Sequence, residues 1–318
     1  MMKIFLTSLL FYIPIAIANE QPLPENAKIE TIIGLKGTFF KDENTFKVSS
    51  PRNDVPVSVD GIKLPPFMGL TSWVAFNSKE SAQSMIMGDL VLFEDEVNPV
   101  MSAAFDAGID VTALHNHFFY DNPKVYFMHI AGEGSAEKLA KAVRACFDKV
   151  KEIRSAKKTP ATSFGGKKLP AKNSITPNVI EPILGAGEAK DGMYKIVIGR
   201  TVSMECGCKV GKNMGVNTWA AFMGSDDNAL VDGDFAVLEN ELQGVLKSLR
   251  SSGINIVAIH QHMTNEKPRM LFLHYWGKDT AQNLAMAVKK ALDTQKLKAE
   301  EVHVKKKEIQ VKKQKAQA

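Results

Sequence analysis

Six histidines carry most of the chemistry this chain offers. In the run TALHNHFFYDNPKVYFMHIAG, from Thr112 to Gly132, an H-x-H pair at His115 and His117 is followed by His129. The run VAIHQHMTNEKPRMLFLHYWG, from Val257 to Gly277, repeats the pattern at one constant offset as His260, His262 and His274. Of the 7 histidines in the chain, only His303 lies outside these runs. Three neutral imidazoles suit zinc, copper, nickel or iron better than calcium or magnesium, which seek oxygen ligands. A divalent transition metal, zinc first, is therefore the expected cofactor. With an open coordination position such an ion activates water for hydrolysis, and with a closed one it only holds the hairpin.

Each run reads as a β-hairpin. Side chains alternate along a strand, so His115 and His117 share one face. A turn centred near Asn122 would set His115 opposite His129 and His117 opposite Phe127, close enough for three rings to meet one ion. A one-residue slip would separate the faces. A fourth ligand or a general base is expected from the acidic strand-to-helix corner, where Asp89, Glu94 and Glu96 recur as Asp234, Glu239 and Glu241. The candidate acid/base or metal-supporting residues are Glu94, Glu96, Glu239 and Glu241. Carboxylates at the start of a helix also suit its positive end, which is the structural alternative for all four. Trp73 and Trp219 read as core aromatics. The spacing is not the helical H-x-x-x-H of zinc proteases, and there is no phosphate-binding glycine loop, G-x-S-x-G elbow or catalytic-cysteine signature.

The elements around the hairpins recur as well. TSWVAF (Thr71 to Phe76) matches NTWAAF (Asn217 to Phe222), and GDLVLFEDEV matches GDFAVLENEL, each a strand running into a helix. Val97, Met101, Ala104 and Phe105, like Leu242, Val245, Leu246 and Leu249, keep a helical period, and Gly108 and Gly253 suit left-handed caps. A second helix is expected after Ser135 and after Thr280. The order strand, helix, strand, strand, helix predicts an α+β fold of two tandem ferredoxin-like repeats. Each would have antiparallel sheet with helices on one face, the two packed as a pseudo-dimer. The expected organisation is a signal peptide over 1–18, repeats over 27–150 and 175–295, a basic solvated linker over 151–174 and a lysine-rich tail over 296–318.

The first residues, MMKIFLTSLLFYIPIAIANE, combine a Lys, an apolar run and an A-x-A end, which predicts export with cleavage after Ala18 to the periplasm or beyond. The apolar run is short for a membrane span, and no cysteine marks a lipid attachment point. Net charge is +5, and lysines outnumber glutamates by the same amount within the tail alone. The tail could contact an anionic envelope surface. No aromatic residues interleave with its lysines, so no nucleic-acid partner is expected. Cys146 falls on a buried helix face. Cys206 and Cys208, absent from the first repeat, are left open as thiols, a strained disulfide or ligands for a soft metal.

The run MGDLVLFEDEVNPVMSAAFDAGIDVTALHNHFFYDNPKVYFMHIAG resembles the LppY/LpqO family, bacterial exported proteins often carrying a domain of unknown function in tandem. The E-D-E-V corner, the H-N-H triplet and the H-x-x-G at the hairpin end carry the resemblance. It implies export and no established activity. Two functions follow as expectations. One is a periplasmic metal-binding protein, extending to a metal-dependent hydrolase of envelope material. The other is a non-catalytic module that binds a glycan, peptide or envelope protein.

Overall fold

A computed structural model describes residues 24–78 and 83–295. The expected signal peptide and lysine-rich tail lie outside the described residues. The first repeat runs α1 (Pro24–Ile33), β1 (Gly37–Phe40), β2 (Thr45–Pro51), β3 (Val57–Val59), β4 (Ile62–Leu64), β5 (Thr71–Ser78), β6 (Ser84–Phe93), α2 (Glu94–Asp106), β7 (Asp110–His115), β8 (Asp121–Asn122), β9 (Val125–Gly134) and α3 (Ala136–Ala156). The second runs α4 (Pro177–Leu184), β10 (Glu188–Lys190), β11 (Met193–Gly199), β12 (Val202–Ser203), β13 (Lys209–Val210), β14 (Asn217–Ser225), β15 (Asn228–Leu238), α5 (Leu242–Ser251), β16 (Asn255–His260) and β17 (Met270–Asp279), with α6 over 281–295. Among the described residues no helix is long and apolar enough to cross a membrane.

Local signals placed the helices correctly. The Ser135 hydroxyl accepts from the Lys138 N–H to open α3, and Gly108 and Gly253 adopt φ of 81° and 77° behind α2 and α5. Leu139, Val143 and Cys146 are buried on α3, as are Val245, Leu246 and Leu249 on α5. These faces cover one side of the sheet, where Leu90, Met128 and Leu114 of the first repeat join Phe235, Leu273 and Ile259 of the second in one core.

The two repeats do not stack sheet against sheet. Their strands form a single 12-stranded antiparallel sheet in the order β1-β2-β5-β6-β9-β7-β16-β17-β15-β14-β11-β10, joined edge to edge where Leu114 of β7 pairs with Ile259 of β16. Edge pairing satisfies backbone groups that two separate sheets would leave open, and it lets α2 and α5 meet across the seam. The seam is further tied by Asn98 of α2. Its amide donates to the Ile256 carbonyl at 3.1 Å and accepts from the Ile256 N–H at 2.8 Å. Gln243 of α5 does the same to Val111 at 2.8 and 3.2 Å. Each of these strands carries its bulge beside the gripped residue, between Val111 and Ala113 and between Ile256 and Ala258.

The expected linker begins later than its sequence implies. Residues 151–156 complete α3, with Arg154 buried, and the following segment lies against the body. The Ala161 N–H donates to Asp95, Phe164 stacks on Trp276 at 4.9 Å, and Lys278 and Asn228 donate to the Gly165 and Lys168 carbonyls.

The face away from the helices is partly roofed. In the first repeat β3, β4 and β8 form a small sheet over Val55, Val57, Leu70, Val91, Phe93, Val125 and Phe127. In the second, the β12-β13 hairpin sits over Val202, Val210, Val216, Ala236, Met270 and Phe272. The histidines lie beside these roofs.

Candidate metal centre

One row of directly paired residues crosses each half of the sheet: Ser49, Trp73, Asp89, His129 and Ala113 in the first repeat, and Val197, Trp219, Asp234, His274 and Ala258 in the second. Directly paired residues point to the same face, so Asp89 stands beside His129 and Asp234 beside His274 on the side away from the helices. His115 and His260 occupy the next row and pair with Phe127 and Phe272. The expected register set His115 opposite His129. In the structure His115 pairs with Phe127 and Ala113 with His129, a shift of two residues, and an even shift keeps every histidine on the predicted face.

His117 and His262 lie beyond the strand ends. They are held there by stacking on Phe127 and Phe272, with ring centroids 3.3 and 3.5 Å apart and planes within 4° and 8°. The loops that carry them are tied down by carboxylates that the sequence reading did not single out. Asp121 accepts from the Val125 N–H at 2.7 Å and Glu266 from the Met270 N–H at 2.9 Å. Their equal spacing from the histidines in the two repeats was the available signal.

The rings converge in both repeats. His115 Nε2 lies 3.1 Å from His129 Nε2, and His260 Nε2 lies 3.1 Å from His262 Nε2. In the second repeat Asp234, His260 and His274 bring ligand atoms within 4.8 Å of one another, and His262 Nε2 is 3.4 Å from Asp234 Oδ2. His262 Nδ1 faces the Gly215 carbonyl at 3.2 Å and His274 Nδ1 faces the Gly233 carbonyl at 3.4 Å. An Nδ1–H donated to a carbonyl leaves the Nε2 lone pair free to ligate. Asp89 and Asp234 are buried, and each has an Oδ1 with no hydrogen-bond partner; His260 Nδ1 is likewise buried and unpartnered.

Two of the rings, His260 and His117, are biased toward the neutral, ligating form. Burial, then His274 and His262, bring the His260 pKa down to about 4. Burial and the neighbouring His115 lower that of His117. Burial raises the pKa of Asp234 against the opposing pull of His274 and His262.

Of the four glutamates named from sequence, Glu96 and Glu241 are held in ion pairs away from the strand row of the histidines. Glu96 is fully buried, where it accepts from the Phe93 N–H at 2.9 Å and pairs with Arg52 at 2.7 Å and with Arg154 at 2.9 Å. Glu241 accepts from the Leu238 N–H at 2.9 Å and pairs with Arg200 and with Gln295 at 3.1 Å. Both ends of each pair are thereby committed to holding a strand to a helix start. Glu239 is exposed and lies 3.5 Å from Arg269. Glu94 lines a cavity with Tyr126, Asn98, Phe164 and Val257 on the helix side of the sheet, and partial burial raises its pKa. The carboxylates beside the histidines are Asp89 and Asp234.

Trp73 and Trp219 are half-buried on the histidine face and not core residues. Lys47 and Lys195 lie over their rings at 4.3 and 4.4 Å. A strand whose other face meets the helices leaves these positions outward, as the alternation of TSWVAF requires. In the first repeat Lys47, Ser49, Phe67, Thr71, Trp73, Asp89 and His117 line a cleft. Phe67, Phe119 and Tyr120 nearby are strongly exposed. Matched positions in the second repeat hold Asn213, Thr264 and Asn265.

Among solved structures, the chain is similar to the trimeric bacterial microcompartment shell protein PduB, at 12% identity over 83% of this chain and 92% of that one with a TM-score of 0.19. It is also similar to a double-ringed trimeric shell protein of the RMM microcompartment, at 9% identity over 68% and 83% with a TM-score of 0.20. Similarity at that level carries no argument about this chain. No curated protein matches it. Residues 27–149 and 178–294 each match the family described as Domain of Unknown Function (DUF1259), and the chain belongs to that family with two copies of its domain.

Proposed function

We propose that each repeat binds one divalent transition-metal ion, zinc first, through its three histidines and the neighbouring aspartate. The sites are His115, His117, His129 and Asp89, and His260, His262, His274 and Asp234. The observation that carries this reading is that in each repeat two imidazole nitrogens face each other at 3.1 Å, His115 with His129 in the first and His260 with His262 in the second, beside a buried aspartate with an unpartnered oxygen. Two nitrogens at a zinc–nitrogen distance of about 2.05 Å in tetrahedral geometry stand about 3.3 Å apart. Two neutral rings so placed can share only one proton, and a cation between them would satisfy both lone pairs and the carboxylate.

The protein is exported in this reading, with the first 18 residues as its signal, and the LppY/LpqO resemblance belongs with it. Hydrolysis of envelope material is the expected reaction if the aspartate stays off the ion, which would leave its coordination position to water and the carboxylate as the nearby base. The unit β6-α2-β7-β9-α3, with β5 as outer strand, supports the ferredoxin-like reading of each half. The pairing of Leu114 with Ile259 supports the pseudo-dimer.

Elemental analysis of the purified protein tests the metal. Near two equivalents are expected, falling by half in His115→Ala/His117→Ala and by half in His260→Ala/His262→Ala. An empty wild type after reloading with zinc, copper and iron sinks the proposal. A binding module is the second reading, favoured by the aromatic-rimmed cleft beside His117. Binding of an envelope glycan or peptide that survives both double substitutions would select it.

A further inference from the structure

The turn between β12 and β13 presents two cysteines without a counterpart in the first repeat. Cys206 and Cys208 are both free and exposed. Met204 accepts from the Gly207 N–H at 2.9 Å and donates its own N–H to the Cys208 carbonyl at 2.9 Å, which folds 204–208 into a tight loop. Gly207 sits at φ 79°, a conformation that a side chain at this position would strain, and it closes the loop that joins the two cysteines. The Cys208 N–H points at Cys206 Sγ at 3.4 Å, which brings the first thiol against the backbone of the second cysteine.

From this convergence we infer that Cys206 and Cys208 form a second kind of metal site, one for a soft monovalent ion such as copper(I). Coordination number decides the ion. Zinc in a protein site takes four ligands, whereas among the described residues no further histidine, cysteine or carboxylate donor is grouped with Cys206 and Cys208. Two thiolates alone satisfy copper(I), which prefers sulfur and accepts linear coordination. On binding, both S–H protons leave to solvent, two metal–sulfur bonds form, and neither sulfur nor metal changes oxidation state. The site is separate from the histidine clusters in ligand chemistry. Ser203 at the base of the hairpin pairs with Lys267 in the loop between His262 and His274, so the two share one structural support.

The test uses silver(I) as a redox-inert stand-in on the full chain, reduced and desalted under nitrogen, with the retained ion read by native mass spectrometry. One tightly held silver per chain is expected in the wild type and in Cys146→Ala. It should be lost in Cys206→Ser/Cys208→Ser and in either single substitution, with the melting temperature unchanged because both positions are exposed. Equal silver retention in wild type and double variant overturns the inference, as does a reduced wild type that retains none. Loss of metal from His→Ala variants of either repeat should leave silver binding intact, so the two metal sites fail or stand independently.

Discussion

Leu114 pairs with Ile259, its own counterpart in the second repeat. Because the pairing is antiparallel, matched positions of the two repeats face each other across the seam, and the grips of Asn98 on Ile256 and of Gln243 on Val111 are one reciprocal pair. These matched positions carry different residues, Asn98 against Gln243 and Ile256 against Val111, that make the same kind of contact. Asn98→Ala would strand both backbone groups of Ile256 in a buried position, at a cost of about 2 to 4 kcal/mol, counting about 1 to 2 for each unsatisfied group. Gln243→Ala, less buried, should cost less. Urea unfolding midpoints of the two variants check the order.

Glu96 holds a buried cluster together and does not serve the histidines. Glu96→Gln removes the fully buried carboxylate shared by Arg52 and Arg154 and leaves them only Asp54 and Asp95 as charge partners, at a cost of up to about 3 to 5 kcal/mol. Exposed Glu239→Gln should stay within about 0.5 kcal/mol. Metal stoichiometry should be unchanged in the folded fraction of both variants. Metal loss in Glu239→Gln at unaltered stability would restore the glutamate to the site.

Asp234→Asn keeps the shape and removes the charge next to His274 and His262. Zinc affinity of the second site should fall on the order of 10- to 100-fold, with the first site unchanged. Competition against a chromogenic chelator in the His115→Ala/His117→Ala background isolates the effect.

The lowered pKa of His260 predicts an acid-sensitive fold once metal is chelated. The unfolded chain takes up this proton near pH 6.5 and the folded one near 4, so stability contributed by the neutral ring is complete above pH 6.5 and is lost as pH falls toward 4. The raised pKa of Asp234 acts with the opposite sign. The comparison is therefore made between wild type and His260→Ala in chelator: the melting temperature of the wild type should drop more steeply between pH 6.5 and 4. Parallel curves would contradict the assignment.

Cys146 is fully buried on α3, and burial pushes its thiol up to about 12. At pH 8 a thiol reagent should titrate Cys206 and Cys208 at once and Cys146 only after unfolding. Rapid reaction of all 3 cysteines would mean that α3 opens readily.

The duplication, the helix starts and stops, the buried helix faces and the shared face of His115 and His129 were legible from sequence, because periodicity and capping are local properties. His117 was expected on the same face and opposite Phe127; it does meet that ring, but by stacking on it from past the end of β7 rather than as a strand partner. Asp89 was legible only as part of an acidic corner. That it, rather than Glu94 or Glu96, stands beside the histidines follows from the pairing of β6 with β9, and no single stretch encodes which strand will be a neighbour. Glu96 and Glu241 look like candidate acids in one dimension, and only the approach of Arg52 and Arg200 from distant strands shows that their charge is already matched. Trp73 reads as core until the helices are seen to occupy the opposite side of the sheet. The sequence determined the residue types, their period and their repetition. The tertiary structure decided which of them meet, because strand order, edge pairing and the burial of each charge arise from contacts between segments far apart in the chain.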